Sequence, residues 1–300
     1  LEEPMSNDIT NFLFETNAVQ VCPEGDPFFY TSGKLGPYYI NTHYLYGSKS
    51  DAEKFLNDIE HWKTNLTDFP ALMFAAAKKQ YLENTIYKKV IEMVCKKAAD
   101  LSFDYISGGE RRDFFFSILP AFILDKPHLS ILKDGTAIVS DSKFTESYIV
   151  SENETAIQMN RHIDLLDLAD KKILHIADLV TEASSYVRTW IPVINRLGAE
   201  ITDTIAIVDR KQGGGHILAD MNVRLHSFAE ISEKLFDDAL DLNHINLLQY
   251  NMIIDFIENP DRFMVSFLKA NPDFLQNQIN LGGKAKERAL RCIENNFDKE

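Results

Sequence analysis

Basic residues are in short supply in this chain. Its 31 Lys and Arg stand against 45 Asp and Glu, for a formal net charge of −14. A phosphate backbone needs a basic footprint, so nucleic acid is excluded as the main partner. An anionic small molecule is not, because a local basic pocket can sit on an acidic protein. Long apolar runs are missing as well. No stretch approaches membrane-spanning length and no signal-peptide pattern opens the chain. The expectation is a cytoplasmic protein with no membrane partner. Cysteine is scarce: Cys22, Cys95 and Cys292 lie far apart and read as reduced thiols, neither a disulfide frame nor a zinc site. The 8 His residues show no metal-ligand spacing. His175 falls inside an apolar run, where a satisfied core or interface imidazole is the simpler reading.

What is present is an alternation of short apolar runs and helical patterns. Phe103–Ile106, Leu129–Leu132, Ile173–Ala177, Ile201–Val208 and Val223–Phe228 read as strands. Helices are predicted over Phe114–Leu124 and from about Ser184 to Leu197, the latter stopped by Gly198. This βαβ order predicts an α/β fold with a central parallel sheet flanked by helices. Four segments follow from the pattern: residues 1–50 with an aromatic hairpin, a helical insert over 51–100, an α/β core over 101–230, and a helical extension over 231–300. In that extension Ile245, Leu248, Met252 and Phe256 form an amphipathic stripe, and Asn259-Pro and Asn271-Pro each read as a helix cap. The extension is expected to pack on the sheet domain or on a second subunit.

Ligands on parallel sheets bind beyond the carboxyl ends of the strands. Three loops begin there. The stretch Lys172–Ser185 runs from an apolar strand into Asp178, then Thr181, Glu182, Ala183, Ser184 and Ser185. Asp178 suits ribose hydroxyls, and the loop's N–H groups and hydroxyls suit a phosphate. In Ser107–Asp113, Arg111 and Arg112 offer planar charged forks for phosphate oxygens. The alternative is a solvated basic pair at a helix start, which the helix dipole disfavours. After Val208, Arg210 suits a carboxylate, or else pairs with Asp209 at the strand end. Upstream, Phe28–Asn41 holds Tyr39 and Ile40, either as a wall for a flat ring or as hairpin core.

Four blocks in this order resemble orotate phosphoribosyltransferase, a member of the type I phosphoribosyltransferase family. They are Ser32-Gly-Lys-Leu-Gly-Pro-Tyr-Tyr-Ile-Asn41, Phe103-Asp-Tyr-Ile-Ser-Gly-Gly-Glu-Arg-Arg-Asp113, Lys172–Ser185 and Leu197–Gly214. The resemblance covers residues 10–45 and 85–228 and implies a type I phosphoribosyltransferase fold, an N-terminal hood and added C-terminal helices. It implies transfer of phosphoribose from phosphoribosyl pyrophosphate (PRPP) to orotate, giving orotidine 5′-monophosphate and pyrophosphate. It puts Arg111 and Arg112 on the diphosphate, Asp178 on ribose, and Thr181, Ser184 and Ser185 on the 5′-phosphate. Tyr39, Ile40, Thr181 and Arg210 would hold orotate, and Asp178, Arg112 and Lys133 would serve catalysis. It further implies Mg2+ carried by the substrate diphosphate and a homodimer.

The chain departs from the family pattern in places. Ala177 replaces the first of two acids, Asp113 replaces a Gly, and Glu182 and Ala183 stand where small residues and Gly are favoured. Asp113 is expected either to cap the following helix or to weaken diphosphate binding. The family's mobile basic loop falls on Lys133–Lys143, which carries only those two cations. These departures motivate a second reading, a phosphoribosyltransferase-like binding or regulatory protein whose helical tail meets a partner. A third keeps the chemistry and changes the base.

Overall fold

A computed structural model describes residues 3–150, 168–295 and 297. Along the chain, α1 (Glu3–Glu15) leads to four short strands, β1 (Val19–Val21), β2 (Phe28–Phe29), β3 (Leu35–Gly36) and β4 (Tyr38–Ile40). A 3-10 turn over Thr42–Tyr46 precedes α2 (Lys49–Trp62), α3 (Phe69–Glu83) and α4 (Thr85–Ala98). Next come β5 (Tyr105–Gly109), α5 (Phe114–Ile123), β6 (His128–Ile131), β7 (Ala137–Ser140) and β8 (Ser147–Val150). Then follow β9 (Lys172–Val180), a π-helical turn at Tyr186–Trp190, α6 (Ile191–Arg196), β10 (Glu200–Asp209), α7 (Gly214–Asp220) and β11 (Arg224–Glu230). The remainder is helical: α8 (Glu233–Asp241), α9 (Leu247–Glu258), α10 (Pro260–Ala270), α11 (Phe274–Leu281) and α12 (Gly283–Glu294).

Two compact units result, one of residues 1–16 and 42–231, the other of residues 17–41 and 232–300. Residues 1–50, read from sequence as one segment, are thus divided between them.

The first unit is an α/β sheet domain, as the βαβ order predicts. Its seven strands lie in the order β11-β10-β9-β5-β6-β7-β8. The first five run parallel, and β7 and β8 add an antiparallel edge. The five parallel strands are those predicted. The edge is new: the stretch expected to be a mobile loop turns tightly at Leu132–Thr136, with Gly135 at φ +83°, and becomes β7. Its residues Ala137–Ser140 are fully buried, so the segment is core rather than a free basic loop.

Leu129, Ile131, Val139, Ile173, Trp190 and Ile194 belong to one buried cluster. The segment Phe114–Ala121 is buried throughout, and α2, α3 and α4 supply its cover. Phe55 of α2 packs 4.7 Å from Phe115, and Phe69 of α3 lies 5.8 Å from Phe114. Aromatic burial of this kind stabilises by about 2 kcal/mol per side chain. The helical insert is therefore integral to the sheet domain.

In the second unit β1 pairs with β4 and β2 with β3, both antiparallel. Tyr38 packs against Phe236 and Phe256, and Phe29 against Phe274, so the hairpin and the C-terminal helices share a core. Gly33 sits at φ +88°, and a Cβ there would come 2.8 Å from the Cys292 backbone nitrogen. Only glycine fits that turn. Asn259 caps α10 as expected, accepting the Arg262 N–H. Asn271 does not cap α11; it ends α10 instead. The stripe on α9 is also shifted: Leu248 is 60% exposed, and the fully buried residue is Ile253.

Candidate active site

β5 and β9 pair only at Tyr105–Ile173, Ile106–Leu174 and Ser107–His175. Both strands continue beyond that point, to Gly109 and Val180, without pairing to each other. The splay opens a cavity of about 460 Å3 at their carboxyl ends. One wall is Glu110–Asp113, the other is residues 177–186 with Trp190, and Lys133 stands at the margin.

Asp113 occupies the splay. Its side chain makes no cap bond to α5, which settles the first expectation for it. Oδ1 accepts the Asp178 N–H at 3.0 Å, and Oδ2 accepts the Gly109 N–H at 3.0 Å. His175 Nε2 lies 3.3 Å from Oδ2, while His175 Nδ1 is 2.8 Å from Ser107 Oγ. A Ser-His-Asp row is a familiar nucleophilic arrangement. Here Ser107 and His175 are fully buried, so the hydroxyl and the imidazole reach no solvent and the row holds the strands together. Tyr186 at 4.9 Å and Trp190 at 6.2 Å flank the imidazole.

Asp178 is buried beside Asp113, and its Oδ2 has no hydrogen-bond partner among the described residues. Burial, and then the charge of Asp113, push its carboxyl up from 3.8 to about 8, while Arg112 pulls it down. An unsatisfied buried acceptor costs about 1–3 kcal/mol, so it marks a position kept for a ligand or a proton.

The two arginines differ. Arg111 is paired with Glu60 of α2 at 2.9 Å, and Glu60 also holds Lys63 at 2.8 Å. Lys63 bridges on to Glu110, whose other oxygen accepts the Lys133 N–H at 3.0 Å. Arg112 makes no ion pair among the described residues. Its charge nevertheless helps hold the imidazole of His43 down at about 3, after burial and ahead of Arg111. His43 is buried and neutral, with Nδ1 unpartnered among the described residues.

The glycines of β5 serve packing. A Cβ on Gly108 would meet Ser117 Oγ at 2.2 Å, and one on Gly109 would meet the Trp190 ring at 2.2 Å. Trp190 thereby lies across the end of the strand.

The loop after β9 is open. Glu182, Ser184 and Ser185 are exposed and, like Thr181, make no side-chain hydrogen bond or ion pair among the described residues. Ala183 is buried at φ +51°, the left-handed region that favours glycine. Gly214 donates its N–H to the Thr181 carbonyl at 2.9 Å, and a Cβ on it would lie 2.6 Å from that oxygen.

Lys133, Arg111, Arg112, Asp178, Thr181, Ser184 and Ser185 thus line one cavity. Arg210 lies outside that lining. Its N–H bonds the Val180 carbonyl at 2.9 Å, and its Nε is buried without a partner among the described residues. The expected alternative, a pair with Asp209, does not form; Asp209 accepts the Lys211 N–H instead. Tyr39 and Ile40 belong to the other unit, where Tyr39 packs 4.5 Å from Phe28 and Ile40 pairs with Val19. Sequence reasoning missed Glu60, Lys63, Glu110, His43 and Trp190. Glu110 alone carried a signal, its place beside the Arg pair. Among the described residues no three metal-ligating side chains come together, and no helix is long and apolar enough to cross a membrane.

No family model matches the chain. It is 29% identical over 232 residues to an orotate phosphoribosyltransferase of Saccharolobus solfataricus, covering 77% of this chain and 88% of that protein. It is 21% identical over 154 residues to an adenine phosphoribosyltransferase of Petrotoga mobilis, covering 51% of this chain and 86% of that one. Among solved structures, the Leishmania donovani UMP synthase shares the fold with a TM-score of 0.53 at 15% identity; the match covers 84% of this chain and 42% of that one. Sheet order and relatives agree on a likeness: the chain shares the type I phosphoribosyltransferase fold and is similar in sequence to members of that family. Orotate and adenine phosphoribosyltransferases are both among its sequence relatives.

Proposed function

We propose that this protein is an enzyme that transfers 5-phosphoribose from PRPP to orotate. A ring nitrogen of orotate bonds to ribose C1, the C1–oxygen bond to the diphosphate breaks, and pyrophosphate leaves with the bonding pair. The observation that carries the reading is the buried Asp178 Oδ2, unpartnered among the described residues, in a cavity that also holds Arg111, Arg112, Ser184 and Ser185. A carboxyl group, two cationic forks and two hydroxyls match, in order, a sugar diol, a diphosphate and a monophosphate.

Catalysis in such a site is placement and charge balance. Arg112, without an ion-pair partner among the described residues, meets the diphosphate as its charge grows, and Lys133 adds a second cation in the lining. Mg2+ arrives with the diphosphate as part of the substrate. The preference for orotate draws on the Saccharolobus relative and on Arg210, whose buried unpartnered Nε suits a carboxylate. A second reading, binding without turnover, is favoured by one observation: Glu60 already occupies Arg111. The adenine relatives favour a change of base.

The test is an assay of orotate loss with PRPP and Mg2+, beside calorimetry with each ligand alone and with adenine. Turnover abolished by Asp178→Asn and Arg210→Ala is the expected result. Binding of PRPP without turnover selects the second reading. Turnover of adenine in place of orotate selects the third. Binding of neither PRPP nor any base rejects these readings and the site assignments with them.

A further inference from the structure

We propose that Asp113 is a positioning residue of the sugar site, bridging the parted ends of β5 and β9 and setting the place from which Asp178 meets ribose. The inference rests on the ribose-binding reading of Asp178 given above.

The register supplies the argument. The β5–β9 ladder stops at Ser107 and His175, three residues before Asp178. The Asp178 N–H on the β5 side has no strand to bond, and Asp113 Oδ1 takes it at 3.0 Å. The same carboxylate takes the Gly109 N–H through Oδ2. One side chain therefore stands in for the missing ladder and leaves the cleft between the strands open for ligand. The bridge needs two acceptors. Asparagine has one acceptor oxygen, so its amide would point N–H groups at a backbone N–H. His175, itself seated on Ser107, keeps the carboxylate from turning away. Asp178 is in turn fixed at its backbone while its Oδ2 has no partner among the described residues. A side chain used only to fill space would not bond both strand ends at once.

The experiment is a double-mutant cycle in PRPP binding, measured by calorimetry with Mg2+ on the full chain. The variants are Asp113→Asn, Asp178→Asn and the double variant, and thermal unfolding reports their folding. Asp113→Asn is expected to bind PRPP about tenfold more weakly, the effect of losing one buried hydrogen bond at a charged group. The double variant is expected to bind no worse than Asp178→Asn alone, because Asp113 acts through it. Losses that multiply, or wild-type affinity in Asp113→Asn, overturn the proposal. Should Asp113→Asn fail to fold, Asp113→Glu replaces it in the cycle; its longer arm keeps both acceptors but displaces Asp178, and the same non-additivity is required. Wild-type protein that binds no PRPP rejects the functional reading and this role with it, a result distinct from an additive cycle in a protein that does bind.

Discussion

The loops after β5 and β9 face each other across one cavity, and they are built on opposite plans. The β5 loop is tied down. Arg111 is held by Glu60, Glu110 by Lys63 and the Lys133 N–H, and Asp113 by two backbone donors. The β9 loop is left open: Thr181, Glu182, Ser184 and Ser185 make no side-chain bonds among the described residues. The difference shows where ordering has already been done. A loop whose charges are paired in the free protein needs little rearrangement entropy on binding but must exchange partners. A loop with free hydroxyls loses only water, yet its side chains must be ordered by the ligand.

The largest effect is expected where the β5 wall meets Trp190. Gly109→Ala places a Cβ 2.2 Å from the indole, which no rotamer change of a buried ring relieves. The loss should be about 3 kcal/mol or more, read from urea unfolding. A loss under about 1 kcal/mol would mean that Trp190 is loosely held and that the wall is not rigid.

Next in size is a pH effect at the junction of the two loops. Asp178 has its folded carboxyl raised from 3.8 to about 8, by burial first and Asp113 second. The folded state therefore holds this proton after the unfolded chain has released it, and stability falls as pH rises between those values. Asp178→Asn removes the ionisation, so its stability should fall less than that of the wild type between pH 5 and about 8. Parallel stability-versus-pH curves for the two proteins would sink the account of a strained carboxyl pair.

Much of this was legible in the sequence, and the illegible parts share a cause. The five parallel strands announced themselves as apolar runs, and Asp178 stood at the end of one. Arg111, Arg112, Ser184 and Ser185 reached the cavity for the same reason, since strand ends in this topology point one way. What escaped depends on residues distant in the chain. The bond from Asp113 to Asp178 spans 65 positions, and Arg111 meets Glu60 across 51. Nothing local in Gly108-Gly109 reveals that Ser117 and Trp190 fill the space beside them. β7 escapes because Lys133–Lys143 falls by position on the family's mobile loop, although its Ala137-Ile-Val-Ser140 run is apolar enough for a buried strand. Leu248 fits the stripe by spacing, yet α9 leaves it exposed and turns Ile253 inward.

On the open side, Glu182 sharpens the contrast. Its carboxylate borders the cavity, is exposed and has no cation partner among the described residues. Glu182→Gln should tighten ribose 5-phosphate binding about threefold at low salt, since exposed charges interact by about 1 kcal/mol or less. The gain should fade near 1 M salt, where the screening length is about 3 Å. An effect that persists at high salt would point to a steric rather than an electrostatic role for this side chain.

The smallest effect is expected on the tied side, and it tests the idea of partner exchange directly. Glu60 holds Arg111 at 2.9 Å, with both side chains partly exposed, so the pair is worth little by itself. Its cost appears only when a diphosphate asks for the guanidinium. Glu60→Gln keeps the packing of α2 and removes the competing charge, so pyrophosphate should bind about twofold more tightly. Arg111→Ala should then cost more affinity in the Glu60→Gln background than in the wild type, because the freed fork contributes more. Equal losses in the two backgrounds would show that Glu60 and the ligand do not compete, and that Arg111 reaches the diphosphate without leaving its acid or never reaches it at all.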